Sequence, residues 1–224
     1  MPTPAVHRLD AETAPFRQET ERGLIGELRC TSIEGYRTLL VRTYSFVAPL
    51  ERSLLDTAGL DRHTDRRRFC KHALIEHDLQ ALGLRSLELQ SLPQCMWIPW
   101  FDDAHTALGW AYIIERSTLS HAETFRQLAS ALPGEAAFAA SYLKCYAGAV
   151  GESWQSFAES LDAAVSQPEH LTRMVAGALA GYHQLRQWRR TLDGAPAAGA
   201  RRPTTDPPSE RASHADGADA DTSG

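Results

Sequence analysis

A few side chains in this sequence stand at spacings that could bind a metal. His72 and Glu76 are one helical turn apart, and His77 and Gln80 are nearly so, so each pair would share one face of a helix. A non-heme di-iron oxidase needs several carboxylates and histidines converging between helices. The sequence contains no repeated Glu-x-x-His pattern, so little beyond these two pairs supports a di-iron site.

Cysteine chemistry is a second candidate. Cys30, Cys70, Cys95 and Cys145 lie far apart, and no two of them form a C-x-x-C pair. This spacing argues against a zinc knuckle or a thioredoxin-type motif. We expect reduced thiols in the core or at the surface.

The elements that must position any site are predicted to be helices. Apolar residues recur at intervals of three and four, and no segment convincingly alternates apolar with polar residues as a strand would. The predicted fold class is therefore all-α. Thr31 and Glu34 form a capping box at the start of the second helix, and Pro49 should kink that helix. Residues 84–101 are predicted to be an irregular, partly buried connection. The predicted helices cover residues 10–29, 31–56, 65–82 (ending at Gly83), 102–132 and 168–192, with two more between 135 and 165.

The domain organisation follows from a change in composition near Gly194. Residues 194–224 contain no aromatic residue, leucine, isoleucine or valine. Such a segment cannot bury enough apolar surface to offset the entropy of ordering. We therefore predict one helical domain over residues 1–193 and a disordered tail over 194–224.

Charge and hydropathy exclude several classes of protein. The net charge is −5 and the basic residues are scattered, so nucleic acid binding is not expected. No apolar run is long enough to span a membrane, and the first ten residues have no apolar core of a secretory signal. We expect no membrane association and a cytoplasmic location.

Four segments, taken in order, carry a resemblance to a known family. They are YSFVAPLE at 44–51, DLQALG at 78–83, ALGWAYIIERSTLS at 107–120, and WQSF at 154–157 with Leu161. Together they resemble the bacterial heme oxygenases across roughly residues 10–192. Each segment is weak alone, and their large aromatic side chains are equally expected in a helical core. The motifs therefore predict a fold, which does not by itself imply a function.

The resemblance implies a heme oxygenase-like, multi-helical single domain that holds its heme cofactor between the first and fourth predicted helices. It implies a reaction in which heme, dioxygen and electrons from a reductase or ferredoxin give biliverdin, carbon monoxide and ferrous iron. It also implies tetrapyrroles or bilins as ligands, and it suggests the pathway of a bacteriophytochrome, which uses biliverdin.

The sequence departs from the family at the iron ligand. The family has a histidine after a context similar to Thr13-Ala14-Pro15-Phe16, and Arg17 occupies that place. A guanidinium is always protonated and has no acceptor atom, so Arg17 cannot bind iron. Either Arg17 is solvated and pairs with Glu21, or it faces the ligand space, where its donors could hold a carboxylate.

A second departure lies in the fourth predicted helix. The family has glycines in a Glu-Gly-Ser-Thr-Leu-Gly-Gly type of run, which bring the backbone close to heme. Arg116, Ser120 and His121 occupy those places. We expect Arg116 and Ser120, one turn apart, to narrow the ligand space. We also expect Arg116 to point to solvent or to pair with an acidic residue of the first helix, such as Glu19 or Glu21.

Three hypotheses follow for function. The first is a degenerate relative that binds a tetrapyrrole or another carboxylate-bearing ligand, or a partner, without catalysis. The second is an active heme oxygenase with a displaced ligand, for which His121 and His7 are the candidates. The third is the di-iron oxidase. If the first is right, the cleft between the two helices should be small, closed by side chains such as Ile113 and Leu24.

Overall fold

Nine α-helices make up most of the chain that the structure describes. The structure is a computed structural model that describes residues 3–28 and 32–194, with residues 19–28 and 194 described by their backbone alone. Its helices are α1 (Pro4–Leu28), α2 (Ile33–Leu55), α3 (Lys71–Ala81), α4 (Ser86–Gln90), α5 (Ala104–Ser117), α6 (His121–Ala131), α7 (Pro133–Phe138), α8 (Val150–Ala164) and α9 (Pro168–Gly194). No strand occurs within these ranges, so the all-α prediction is confirmed. Apart from Gly194, the predicted tail lies outside the described residues.

Two helices begin away from their predicted starts. α1 begins at Pro4 rather than Asp10, because proline suits a first helical position and the Asp162 carboxylate accepts from the Ala5 amide at 2.8 Å. α3 begins at Lys71 rather than residue 65. A 3-10 turn (Arg66–Arg68) precedes it, and the buried Glu51 carboxylate of α2 accepts from the Lys71 amide at 2.9 Å.

The predicted helix over residues 102–132 is divided. Asp103 caps its start, because its Oδ1 accepts from the amides of His105 and Thr106, both at 3.0 Å. A 3-10 turn (Thr118–Ser120) then separates α5 from α6. The hydroxyls of Ser117, Thr118 and Ser120 donate to backbone carbonyls three residues earlier, at 2.7–2.8 Å, and compete with regular helical bonding.

The connections also differ in part from the predictions. Two helices do occupy residues 133–164, but α7 is short and residues 141–149 form turns. The connection over 84–101 is irregular except for α4. Cys95 and Phe101 are buried as a partly buried connection requires, whereas Met96 and Trp100 are exposed.

The core is organised around α5 and α9, whose backbones touch. A Cβ atom added to Gly109 of α5 would lie 2.0 Å from the Met174 carbonyl oxygen, and one added to Gly177 of α9 would lie 2.4 Å from the Thr106 carbonyl oxygen. Only glycine permits so close an approach. Trp110 of α5 packs against Gly181 of α9, where an added Cβ would lie 3.1 Å from the indole ring. No described helix is both long and apolar enough to span a membrane.

Candidate functional site

Arg17 and Arg116, the two arginines singled out in the sequence, bond to the same carboxylate, that of Asp10. Oδ1 of Asp10, on α1, accepts from the Tyr112 hydroxyl at 2.6 Å, from Arg116 Nε at 3.1 Å and from Arg17 Nη1 at 3.3 Å. Tyr112 and Arg116 stand one turn apart on α5, and Asp10 and Arg17 two turns apart on α1. These four residues, which we name the Asp10 cluster, tie α1 to α5.

The Arg116 prediction is met by a residue that we had not named. Arg116 does pair with an acidic side chain of the first helix, but that residue is Asp10. The side chains of Glu19 and Glu21 lie outside the description. The Arg116 guanidinium also lies 5.6 Å from the centre of the Trp154 ring, a cation–π distance. Burial acts to lower the pKa of Arg116, but the hydrogen bond and charge of Asp10 outweigh it and raise that pKa.

Arg17 is not a loosely solvated side chain. It is 19% exposed and pairs with Asp10. Its Nε atom is buried and has no hydrogen-bond partner. An unpartnered buried donor is destabilising, so this N–H group is available to an acceptor from a ligand or from water.

Tyr112 completes the Asp10 cluster. Burial raises its pKa first, and the hydrogen bond to Asp10 raises it further, although the Thr13 hydroxyl acts in the other direction. The phenol therefore stays protonated and donates to the carboxylate. Two guanidiniums and one carboxylate leave the Asp10 cluster with a net positive charge.

Ser120 and His121 belong to a different place. Both line a cavity of about 100 Å³ between α2, the α5–α6 segment and α9. Its walls are mainly apolar, from residues such as Leu40, Phe46 and Ile113, and Arg42 and Arg189 also contribute to its lining. The space along the second half of α1, including Leu24, lies among undescribed side chains, so the small-cleft prediction stays a prediction.

His121 is buried and neutral. Burial, and to a smaller extent the charge of Lys71, lower its pKa to about 3. Its ring packs edge-on against Tyr142, with centroids 4.6 Å apart, and its Nδ1 lies 3.6 Å from Cys145 Sγ. Ligation of iron through Nδ1 of His121 would require this nitrogen to leave its contact with Cys145. His7 is exposed in the first turns of α1.

A buried ion-pair network beside the Asp10 cluster was missed by the sequence analysis. Glu115, 1% exposed, accepts from Lys71 Nζ at 2.6 Å and from Arg68 Nη1 at 3.3 Å. Tyr146 donates to Glu115 and accepts from Lys71. Burial acts to lower the pKa of Lys71, but Glu115 outweighs it and raises that pKa. Through Lys71 and Tyr146, the network ties α5 to α3 and to the turns between α7 and α8.

The residues considered for a di-iron site have other partners. His72 Nδ1 lies 2.6 Å from Glu51 Oε2, and Glu76 accepts from the Tyr44 hydroxyl at 2.6 Å. His77 contacts Ser141 at the surface. Within residues 3–18 and 32–193, no group of three or more histidine, cysteine, aspartate or glutamate side chains could hold a metal ion.

The donor set of the Asp10 cluster does not fit histidine-ligated heme. Arg17 has no lone pair to give to iron, and α1 contains no histidine after His7. Arg116 places a long charged side chain between Asp10 and the Trp154 ring.

The order and packing of the helices define the class of fold, and the comparison with solved structures identifies it as the heme oxygenase fold. One similar structure is the heme oxygenase from Neisseria meningitidis, solved with NO and CO bound. It shares 21% sequence identity over 86% of this chain and 94% of that one, with a TM-score of 0.71. No protein-family model matches the sequence, and neither does any curated protein.

Proposed function

We propose that this chain is a heme oxygenase-fold binding protein that holds a tetrapyrrole, in particular an open-chain bilin, without cleaving heme. The observation that carries the proposal is the Asp10 cluster. At the place where the resemblance leads us to expect a histidine, Arg17 is ion-paired with Asp10, and Arg116 bonds the same carboxylate and so ties α1 to α5.

The charges of the Asp10 cluster support a carboxylate-bearing ligand. Arg116 uses only Nε to reach Asp10, and the Nε atom of Arg17 has no partner. Guanidinium groups bind carboxylates through paired N–H donors. A bilin carries two carboxylates, so one of them could accept from these donors while Asp10 keeps its bond from Tyr112.

The shape of the site supports an open-chain ligand over heme. Heme is a rigid disc that needs a flat slot, and the Arg116 side chain occupies space that glycine leaves free. A bilin can bend around Arg116 and insert only part of its length.

The test is a titration of the purified chain with biliverdin and with ferric heme, followed by absorbance. We expect saturable biliverdin binding, and no sharp, stoichiometric heme band typical of histidine coordination. Arg17→Gln should weaken biliverdin binding without creating such a band. Arg17→His should create a weak band, and Arg17→His with Arg116→Gly a stronger one, because the second change removes the obstruction.

The results that would contradict the proposal are distinct. If biliverdin does not bind, the assignment of a bilin as the bound molecule is wrong. If the unmodified chain gives a stoichiometric histidine-type heme band, the argument that the iron-binding histidine has been lost is wrong. In the second case the alternative is an active heme oxygenase with a displaced ligand. The neutral imidazole of His121 beside an apolar cavity favours that alternative, and His121→Ala would then abolish the band.

A further inference from the structure

Three histidines from three different segments stack at one end of the α5–α9 pair. The rings of His105 and His170 lie face to face, with centroids 3.8 Å apart and planes 18° apart. The ring of His63, just after the 3-10 turn Leu60–Arg62, is tilted by 46° to that of His105, with centroids 5.4 Å apart. Neither the Asp10 cluster nor the proposed ligand site uses these residues.

We propose that the stack of His63, His105 and His170 is an acid-sensitive latch, which holds the N-terminal ends of α5 and α9 together while its rings are neutral and releases them on protonation. The inference is independent of the proposed function.

The position of the rings disfavours positive charge. His105 lies in the first turn of α5 and His170 in the first turn of α9. The N-terminal end of a helix carries a partial positive charge, which repels an imidazolium. Two imidazolium rings stacked face to face would also repel each other directly. The Nε2 atom of His105 is buried without a hydrogen-bond partner, so a proton there would have no acceptor.

The surrounding groups act in both directions. Burial lowers the pKa of His105, and the charges of His170 and His63 add to this, whereas the Ala164 carbonyl and Asp103 raise it. Asp103 Oδ1 lies 3.7 Å from His105 Nδ1, but the same oxygen caps α5. On α9, Arg173 interacts electrostatically with Asp103. The groups that lower the pKa of His105 outweigh those that raise it, so this pKa is lowered.

The sign of the pH dependence follows from this. Because the pKa of His105 is lower in the folded chain than the ordinary 6.5, the unfolded or locally opened chain binds the proton first as the pH falls. The stability that the stack contributes is complete above pH 6.5 and declines below it. The loss should begin next to the stack, where Gly177 contacts the Thr106 carbonyl.

Hydrogen exchange followed by mass spectrometry tests the latch in the unmodified chain. Between about pH 7.5 and about pH 5.5, protection factors in the first two turns of α5 and α9 should fall by up to about tenfold, while those in the middle of α2 stay constant. His105→Phe with His170→Phe keeps two stacked rings that cannot titrate and leaves only the tilted His63 ring, so most of the fall in protection should be lost. His183→Gln, an exposed change on α9, serves as the matched control and should behave as the unmodified chain does.

Equal protection at both pH values in the unmodified chain, or the same fall in the double variant, would overturn the proposal. If the double variant does not fold, NMR of the unmodified chain decides the matter. The His105 ring should take up its proton only as amide signals of the first turns of α5 and α9 change. Ordinary titration of His105 near pH 6.5 with those amides unchanged would overturn it.

Discussion

Because the backbones of α5 and α9 touch at Gly109, Gly109→Ala creates the closest clash among the described glycines when a methyl group is added. The added Cβ would lie 2.0 Å from the Met174 carbonyl oxygen, 2.8 Å from the Ala178 nitrogen and 2.9 Å from the Met174 carbonyl carbon. All three are backbone atoms, so no side chain can rotate away. Acceptable carbon–oxygen contacts begin at about 3.3 Å, so the helices must separate locally by about 1.3 Å.

Separation on that scale reduces packing along the whole contact. Gly181 approaches Trp110 and Ile113 from the same face of α9, and these contacts would loosen together. Overpacking a close-packed site is destabilising by about 1–3 kcal/mol, and more where the backbone must move. We expect Gly109→Ala to lower the free energy of unfolding by about 3 kcal/mol, measured by urea denaturation.

A matched control separates this contact from the general effect of replacing glycine in a helix. Gly151 of α8 has nothing within 4 Å of an added Cβ. Alanine is favoured over glycine in a helix by up to about 1 kcal/mol, so Gly151→Ala should leave stability unchanged or slightly raise it. A loss below about 1 kcal/mol for Gly109→Ala, or equal effects of the two changes, would refute the packing argument.

Three further predictions concern buried polar groups. Asp10→Asn should lower the free energy of unfolding by about 1–2 kcal/mol in urea, because two partly exposed guanidiniums lose their carboxylate; unchanged stability in low salt would contradict this. Glu115→Gln should cost about 3–5 kcal/mol by thermal denaturation, because it leaves Lys71 charged and buried; a loss near that of a surface change would count against the network. The thiol of Cys145, whose pKa burial raises to about 11 from 9.0, should be alkylated by iodoacetamide at pH 8 about 100-fold more slowly than an ordinary thiol, with the rate rising toward pH 11. Mass spectrometry would show the exposed Cys70 modified first, and equal rates would refute this prediction.

The parts of the fold that sequence predicted are those with local signals. Asp103 at the start of α5 and Pro168 at the start of α9 are such signals, and both helices begin where they indicate. The start of α1 depends on Asp162, 157 residues away, and the start of α3 depends on Glu51. No local pattern carries such contacts, so both boundaries were predicted wrongly.

The site shows the same limit. Sequence identified Arg17 and Arg116 as altered positions and predicted an acidic partner for Arg116 on the first helix. It named Glu19 and Glu21 rather than Asp10, because the register between α1 and α5 follows from packing alone. The Lys71–Glu115 pair was missed because its members lie 44 residues apart and resemble surface charges in the sequence.

A single-turnover assay tests the central claim most directly. The unmodified chain is mixed with one equivalent of ferric heme, a chemical reductant and oxygen, and the release of biliverdin and carbon monoxide is followed. Because Arg17 offers iron no lone pair, we predict no more of either product than heme gives with an unrelated protein. Stoichiometric conversion of heme to biliverdin and carbon monoxide would contradict the account.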